Sequence, residues 1–392
     1  MTGLGADLET SWRGLLEGRN PVRRFTLFDP AGLACTFGVE LPAGAEERFA
    51  AAVHRRHRAQ MTRGTLLTLV TAQMALADSG LDSPRLNRSR VGVVAGATGT
   101  GYAPPPGGGD EHRILKNMGS APAAWISLKC SLLGPTMIVG TACSSGAYAL
   151  AAAHWLLVSG QCDAVVAGAG DSSINYPDVE GFCKLMALSE QNDDPAHACR
   201  PFDRRRNGFV MGEGGGFLVL ETLEFARRRG ARIYAAMNMP GLNSEGYNIL
   251  SPQPGGEGMA VCMRRALDEA GLEPADIDYI NAHGTSTMLN DLYEVQAIRK
   301  VFGERARSVA VSSTKAMTGH CLAGAAGVEA VICCKAIQEQ RVPPTINFAE
   351  PEPEMDLDFV PNVARERRLR HVMSNSFAFG GQNGVVIFSA LE

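Results

Sequence analysis

Cys143, His283, Lys315 and His320 are the side chains whose types and surroundings could do chemistry together. Cys143 lies in the run 136–146, where an apolar β-forming stretch stops at small residues and restarts as an Ala- and Leu-rich helix. A thiol at the first turn of a helix meets the positive end of the dipole and unpaired backbone N–H groups, which stabilise a thiolate and any oxyanion beside it. His283 ends the β-forming segment 279–282 and precedes a Gly turn with hydroxyl residues, while Lys315 and His320 follow the strand-like run 309–312. Each titratable group stands just past a strand end, where the C-terminal edges of parallel strands open into clefts. Any one of them alone reads as a core or turn residue. The set reads as a nucleophile with imidazole and ammonium partners, which suits acyl transfer.

The rest of the chain must build elements that hold these groups. Its 392 residues, 45% hydrophobic and 20% charged, suffice for one large core or two. A net charge of −4 supplies no basic excess, so a nucleic-acid partner has no support. The ten cysteines include no C-x-x-C pair, and Cys333 and Cys334 sit together in an apolar stretch. With no signal-peptide pattern at the start, reduced thiols and a cytoplasmic location are expected, and no metal. Apolar runs are interrupted before the ~20 residues a membrane span needs.

Helical periodicity over 47–80 leads to a strand at 91–95, then a strand at 137–141, a helix at 144–158, and strands at 164–167 and 217–221. The cycle recurs with helix 258–270, strand 277–281, helix 291–301, strand 309–312, helix 327–338 and closing strands 371–374 and 385–389. This predicts an α/β fold with largely parallel sheets, duplicated as halves 1–230 and 231–392. The Gly-rich runs 96–101 and 212–216 do not imply a nucleotide. Pro104–Pro106 and Gly107–Gly109 follow soon after the first, where a phosphate-binding helix would have to start, and the second lacks the Lys-Ser/Thr of a phosphate loop.

Four ordered blocks carry a resemblance: Thr141-Ala142-Cys143-Ser144-Ser145-Gly146, Asn281-Ala282-His283-Gly284-Thr285-Ser286-Thr287, the run 313–320 through Lys315 to His320, and the run 375–384 around Phe379. Arg200-Pro201-Phe202-Asp203 and the runs 208–214 and 342–347 extend it over nearly the whole chain. The sequence resembles the elongating β-ketoacyl-[acyl-carrier-protein] synthases. That resemblance implies the thiolase-like, five-layered αβαβα fold, and decarboxylative Claisen condensation of a Cys-bound acyl chain with malonyl delivered by an acyl-carrier protein. It implies no cofactor beyond the phosphopantetheine of that carrier. Cys143 would take the acyl group, with its own N–H and that of Phe379 as the oxyanion hole. His283 and His320 would hold the malonyl carbonyl, Lys315 would order the site with Glu329 as counter-charge, and Phe379 would gate entry. Thr285 and Thr287 would bind the pantetheine arm, with Phe377 and Gly380 also at the substrate site. Arg55, Arg56, Arg58 and Arg63 on one helical stretch, with Arg204 and Arg205 on a loop, are candidates for docking an acidic carrier.

Departures from the pattern set further expectations. The chain starts about ten residues late, which predicts a missing central strand. The segment 99–121 is short and rich in Pro and Gly where the family lines its acyl pocket, and Ala378 and Gln382 stand where Gly and Thr are usual. A degradative thiolase would need a second reactive Cys in 374–384, and an initiating synthase would carry Asn in place of His320. Neither is present. A non-catalytic chain-length subunit is the alternative, opposed by retention of Cys143, His283, Lys315 and His320. Fatty-acid and type II polyketide or polyene pathways both fit, as does pairing into a homodimer or a heterodimer with a homologous subunit.

Overall fold

Val91–Gly96 (β1) is apolar or Gly at every position, as expected of a strand covered on both faces, and all of it is buried at the middle of the first sheet. The computed structural model describes residues 1–81, 86–99, 101–102 and 109–391. β1 runs parallel to Thr136–Val139 (β2) on one side and Ala164–Asp171 (β3) on the other. Gly214–Glu221 (β4) joins β3 antiparallel, giving the order β2-β1-β3-β4.

The second sheet repeats this plan. Tyr279–Asn281 (β7) lies parallel between Ala310–Ser312 (β8) and His371–Phe377 (β9), and Gln382–Ser389 (β10) pairs antiparallel with β9 across a tight turn. Here the sheet is extended: Ala236–Met237 (β5) and Gly241–Ser244 (β6) both pair with the outer edge of β10. Both sheets are therefore mixed, parallel in three strands and antiparallel at one end.

Ser145–Val158 (α4) and Ala323–Glu339 (α7) fill the space between the sheets. α7 is buried almost all round, as a sandwiched helix must be. The two helices touch backbone to backbone, since a Cβ added to Gly146 would lie 2.6 Å from the Gly327 nitrogen. Arg63–Ser79 (α2) and Ala121–Cys130 (α3) cover the outside of the first sheet, and Glu257–Ala270 (α5) with Met288–Phe302 (α6) cover the second. The result is the expected five-layered αβαβα stack, with Leu8–Leu16 (α1) packed beside it.

Two expectations are corrected. The periodic stretch 47–80 is not one helix but Gly44–Ala52, Arg55–Arg58 and α2. Val53 turns extended (φ −134°), and the Thr62 side chain caps α2 by accepting from the Thr65 N–H. The centre of the first sheet is not short of a strand either, because β1 and β3 fill it. Along the outer edge of β4, Met1 and Thr2 alone pair among the described residues. All ten cysteines are free, and no helix among the described residues is long and apolar enough to cross a membrane.

Candidate active site

After β2 the chain turns through Thr141 into a short 3-10 turn, Ala142–Ser144, that feeds α4. Ala142 is held at φ 48°, the left-handed region that Cβ disfavours. Small hydroxyl residues brace it. The Thr141 N–H donates to Ser145 Oγ (2.9 Å), Ser145 Oγ donates to the Ala142 carbonyl (2.7 Å), and Ser144 Oγ reaches the Gln382 carbonyl (2.9 Å). The Thr-Ala-Cys-Ser-Ser-Gly run is thus the chemistry of a strained bend, and it places the Cys143 thiol where the halves of the molecule meet.

His283 follows β7, with its N–H (2.8 Å) and that of Gly284 (2.7 Å) both donating to the buried Glu294 carboxylate of α6. Gly284 has φ 39°, and a Cβ there would meet Ser313 Cβ at 2.5 Å, so only Gly permits the turn. Lys315 is completely enclosed. Its Nζ donates to the His283 carbonyl (2.6 Å) and pairs with the equally buried Glu329, as expected for its counter-charge. The His320 N–H donates to the Val210 carbonyl (2.7 Å), and the Leu322 N–H donates to His320 Nδ1 (3.2 Å). An Nδ1 that accepts must be bare, which assigns the ring proton to Nε2 in the neutral tautomer.

One ligand-type atom each of Cys143, His283 and His320 lies within 4.8 Å of the others. The two imidazoles meet edge to face, centroids 5.4 Å apart. Burial pushes both histidines well below the usual range, and the Lys315 charge pushes the same way. Both rings are therefore neutral. Burial drives the Cys143 thiol up to about 12, against the pull of Lys315 and of the Phe379 and Cys143 N–H groups. This corrects the expectation of a stabilised resting thiolate: desolvation outweighs the helix terminus, and the thiol rests protonated beside neutral imidazoles. Burial also lifts Glu329 to about 7, with Lys315 opposing. Among the described residues the Cys-His-His trio alone has spacing a metal ion could bridge, but the enclosed Lys315 charge works against a cation there.

A cleft of about 780 Å³ opens onto the trio and is also lined by Thr285, Thr287, Phe377 and Phe379. The Thr285 and Thr287 hydroxyls lie 2.9 Å apart. Phe377 is buried, its ring 6.1 Å from His283, whereas Phe379 is 36% exposed. Gly380 does not line the cleft. It serves the turn instead, with φ 83° and its N–H donating to the Ile249 carbonyl (2.8 Å). From the segment expected to shape the acyl pocket, Gly99, Gly101, Tyr102 and Asn117 line the cleft, while residues 100 and 103–108 lie outside the described residues.

The arginine cluster divides. Arg63 is paired with Glu46 and with Glu213, which is wholly buried, so it is a structural cation. Arg58 is half-buried, with its Nε enclosed and unpartnered. Arg204 pairs with Glu350, and Arg205 with Asp203 and Glu350. Arg55 and Arg56 are exposed, with no ion pair among the described residues. Glu294 escaped the sequence reading, although an acid on the buried face of α6, beside Asp291, Val295 and Ile298, was its signal. Asp171 escaped it too. It ends β3 with its carboxylate accepting from Thr98 Oγ1 (2.7 Å) and Ser173 Oγ (2.6 Å), and burial raises it to about 6.

Family profiles match along the chain: beta-ketoacyl synthase, N-terminal domain, over residues 1–226, and beta-ketoacyl synthase, C-terminal domain, over residues 234–349. A 3-oxoacyl-[acyl-carrier-protein] synthase 2 of Synechocystis sp. is 39% identical over 406 residues, covering 100% of this chain and 96% of the relative. A beta-ketoacyl synthase structure from Burkholderia phymatum superposes with a TM-score of 0.90 at 33% identity, covering 100% of this chain and 97% of that one. The ishigamide ketosynthase/chain length factor gives 0.89 at 30% identity, with the same coverage. The chain belongs to the β-ketoacyl synthase family.

Proposed function

We propose that the chain joins a Cys143-bound acyl group to malonyl by decarboxylative condensation, both groups arriving on the phosphopantetheine of an acyl-carrier protein, in fatty-acid or polyketide synthesis. The observation that carries this reading is the enclosed meeting of Cys143 with two neutral imidazoles beside a buried ammonium. In the first half-reaction a neutral imidazole relays the thiol proton to the departing carrier sulfur, and the acyl carbon bonds to Cys143 Sγ. The N–H groups of Cys143 and Phe379, which both reach the thiol, stabilise the tetrahedral oxyanion. In the second, His320 donates from Nε2 to the malonyl thioester oxygen, with His283 beside it. Loss of carbon dioxide leaves an enolate, whose carbon attacks the Cys143 thioester. Collapse releases the β-ketoacyl carrier and returns the sulfur. Lys315 holds no substrate in this scheme; it fixes the His283 backbone and biases both rings towards neutrality.

The similarity to a ketosynthase/chain length factor raises the alternative of a non-catalytic partner subunit. Retention of Cys143, His283, Lys315 and His320, with the first two and His320 meeting in one cleft, favours the catalytic reading. Ten free thiols fit a reducing, cytoplasmic setting.

The two half-reactions separate by mutation. Cys143→Ala is expected to abolish extension while still releasing carbon dioxide from malonyl-carrier. His320→Ala is expected to accept an acyl group on Cys143, seen by intact mass, yet lose decarboxylation by at least ~10²-fold, the scale of one lost oxyanion donor. A folded Cys143→Ala protein without decarboxylation, or His320→Ala at the parent rate, refutes the division of labour.

A further inference from the structure

One wall of the catalytic cleft carries two acids that the condensation scheme leaves unused. Asp171 ends β3 behind that wall, 6% exposed, and its charge reaches the Cys143 thiol. Asp178 lies on the helix Tyr176–Lys184, where it and Phe182, one turn further on, both line the cleft. Its Oδ2 accepts from Asn175 Nδ2 (2.7 Å), and among the described residues no cation pairs with it. A carboxylate without a cation, set among Phe182, Leu185 and Met186, does not suit a cavity built for a plain hydrocarbon chain.

The hydroxyls beside these acids have their hydrogens fixed. Thr98 Oγ1 lies 2.7 Å from Asp171 Oδ2, Ser173 Oγ lies 2.6 Å from Oδ1, and the Ala323 N–H at the start of α7 bonds the same group. Burial raises Asp171 to about 6, so at neutral pH it is a carboxylate. A carboxylate only accepts, and both hydroxyls must therefore donate to it. Thr98 and Ser173 line the cleft with their lone pairs left over, and among the described residues no donor takes them. Gly101 keeps the same wall close-packed, since a Cβ there would come within 2.9 Å of the Ser172 carbonyl. Thr98, Ser173 and Asp178 thus form a stretch of wall that offers acceptors alone.

We propose that this wall selects an acyl group bearing a hydroxyl, whose O–H donates to Thr98, Ser173 or Asp178 as the chain is transferred to Cys143. A saturated chain leaves those acceptors bare, and a ketone meets them lone pair to lone pair. Asp171 is a positioning residue here, because it decides which way the two hydroxyls point. The proposal rests on acyl transfer to Cys143. Amide N–H groups of the pantetheine arm are the other donors of the right chemistry, and they are common to every carrier substrate.

The test is the rate at which Cys143 is loaded, followed by intact mass, from carrier thioesters of one eight-carbon chain with a hydroxyl, a ketone or hydrogen alone at its β or δ carbon. At the better position the hydroxyacyl substrate is expected to load at least ~10-fold faster, at limiting concentration, than the ketone or the saturated chain, the scale of one hydrogen bond to a charged or buried acceptor. Asp171→Asn supplies an amide donor to one hydroxyl and frees its hydrogen for the cleft, so the hydroxyl-over-ketone ratio is expected to fall by at least ~5-fold. Asp178→Leu is expected to lower the hydroxyl-over-saturated ratio. Both readouts are ratios within one preparation, so a smaller folded fraction cancels. Equal rates for hydroxylated and saturated chains at both positions, which is the outcome if pantetheine alone meets the wall, would overturn the proposal. So would a ketone loaded as fast as the hydroxyl, or ratios unmoved in both variants. A parent protein that loads none of these chains refutes acyl transfer itself, and the selection with it.

Discussion

At the scale of single residues, burial and the Lys315 charge keep charge out of the two imidazoles. Their folded values lie well below the usual 6.5, so the folded protein holds them neutral while the unfolded chain protonates. The stability each contributes is fully present above pH 6.5 and is lost as pH falls below it. By pH 5.5 that loss is about 1.4 kcal/mol for each histidine. Denaturant unfolding of the parent and of His320→Gln at pH 7.5 and 5.5 checks this, because the variant is expected to lose less on acidification by about that amount. Lys315→Met removes the cation and leaves Glu329 enclosed without its partner, and it is expected to cost about 3–5 kcal/mol. Lys315→Met with Glu329→Gln restores part of that stability in the same unfolding measurement, but not the condensation rate.

At the scale of elements, two glycines make contrasting predictions. Gly146→Ala drives a Cβ to 2.6 Å from the Gly327 backbone and forces α4 and α7 apart. It is expected to cost about 1–3 kcal/mol and to displace Cys143, lowering the rate of acyl loading. Gly380→Ala meets no atom nearer than 3.8 Å, so its cost of about 1–2 kcal/mol arises from φ 83° alone; it is expected to change the rate of malonyl entry with loading intact. Stopped-flow acylation followed by single-turnover condensation distinguishes the two. The strand-end positions of Cys143, His283 and Lys315 were legible because small residues and Gly interrupt the apolar runs where the chain must turn. The break near Val53 was not legible, since Phe49, Val53, Met61 and Leu67 bury in the same core cluster and continue the periodicity across it. Glu294 was hidden for a related reason: its carboxylate accepts from the His283 and Gly284 N–H groups of the turn before α6, and that pairing exists only once β7 and α6 are packed.

At the scale of the whole molecule, β2 is an edge strand, and Leu128 and Leu133 beside it are 69% and 70% exposed. An uncovered apolar edge of this kind favours pairing of subunits. Light scattering is expected to find a dimer that Leu128→Glu with Leu133→Glu dissociates; a stable, active parent monomer would rule it out. Of the arginines proposed to dock a carrier, Arg55 and Arg56 are the exposed ones without an ion pair among the described residues. Their reversal to Glu is expected to raise the KM for carrier substrate with kcat unchanged, and to flatten its salt dependence. Arg63→Glu instead leaves Glu213 buried beside a like charge, so it is expected to unfold the protein at lower denaturant. The proposed catalytic set is divided along the chain: Cys143 comes from the first sheet's side, whereas His283, Lys315, His320 and Phe379 come from the second, and α7 of the later segment packs against β3 and β4 of the earlier one. Severing the connection between β4 and β5 would therefore yield two inert fragments, each with one apolar face bare. Turnover would then depend on the product of their concentrations, making condensation a reporter of fragment reassembly.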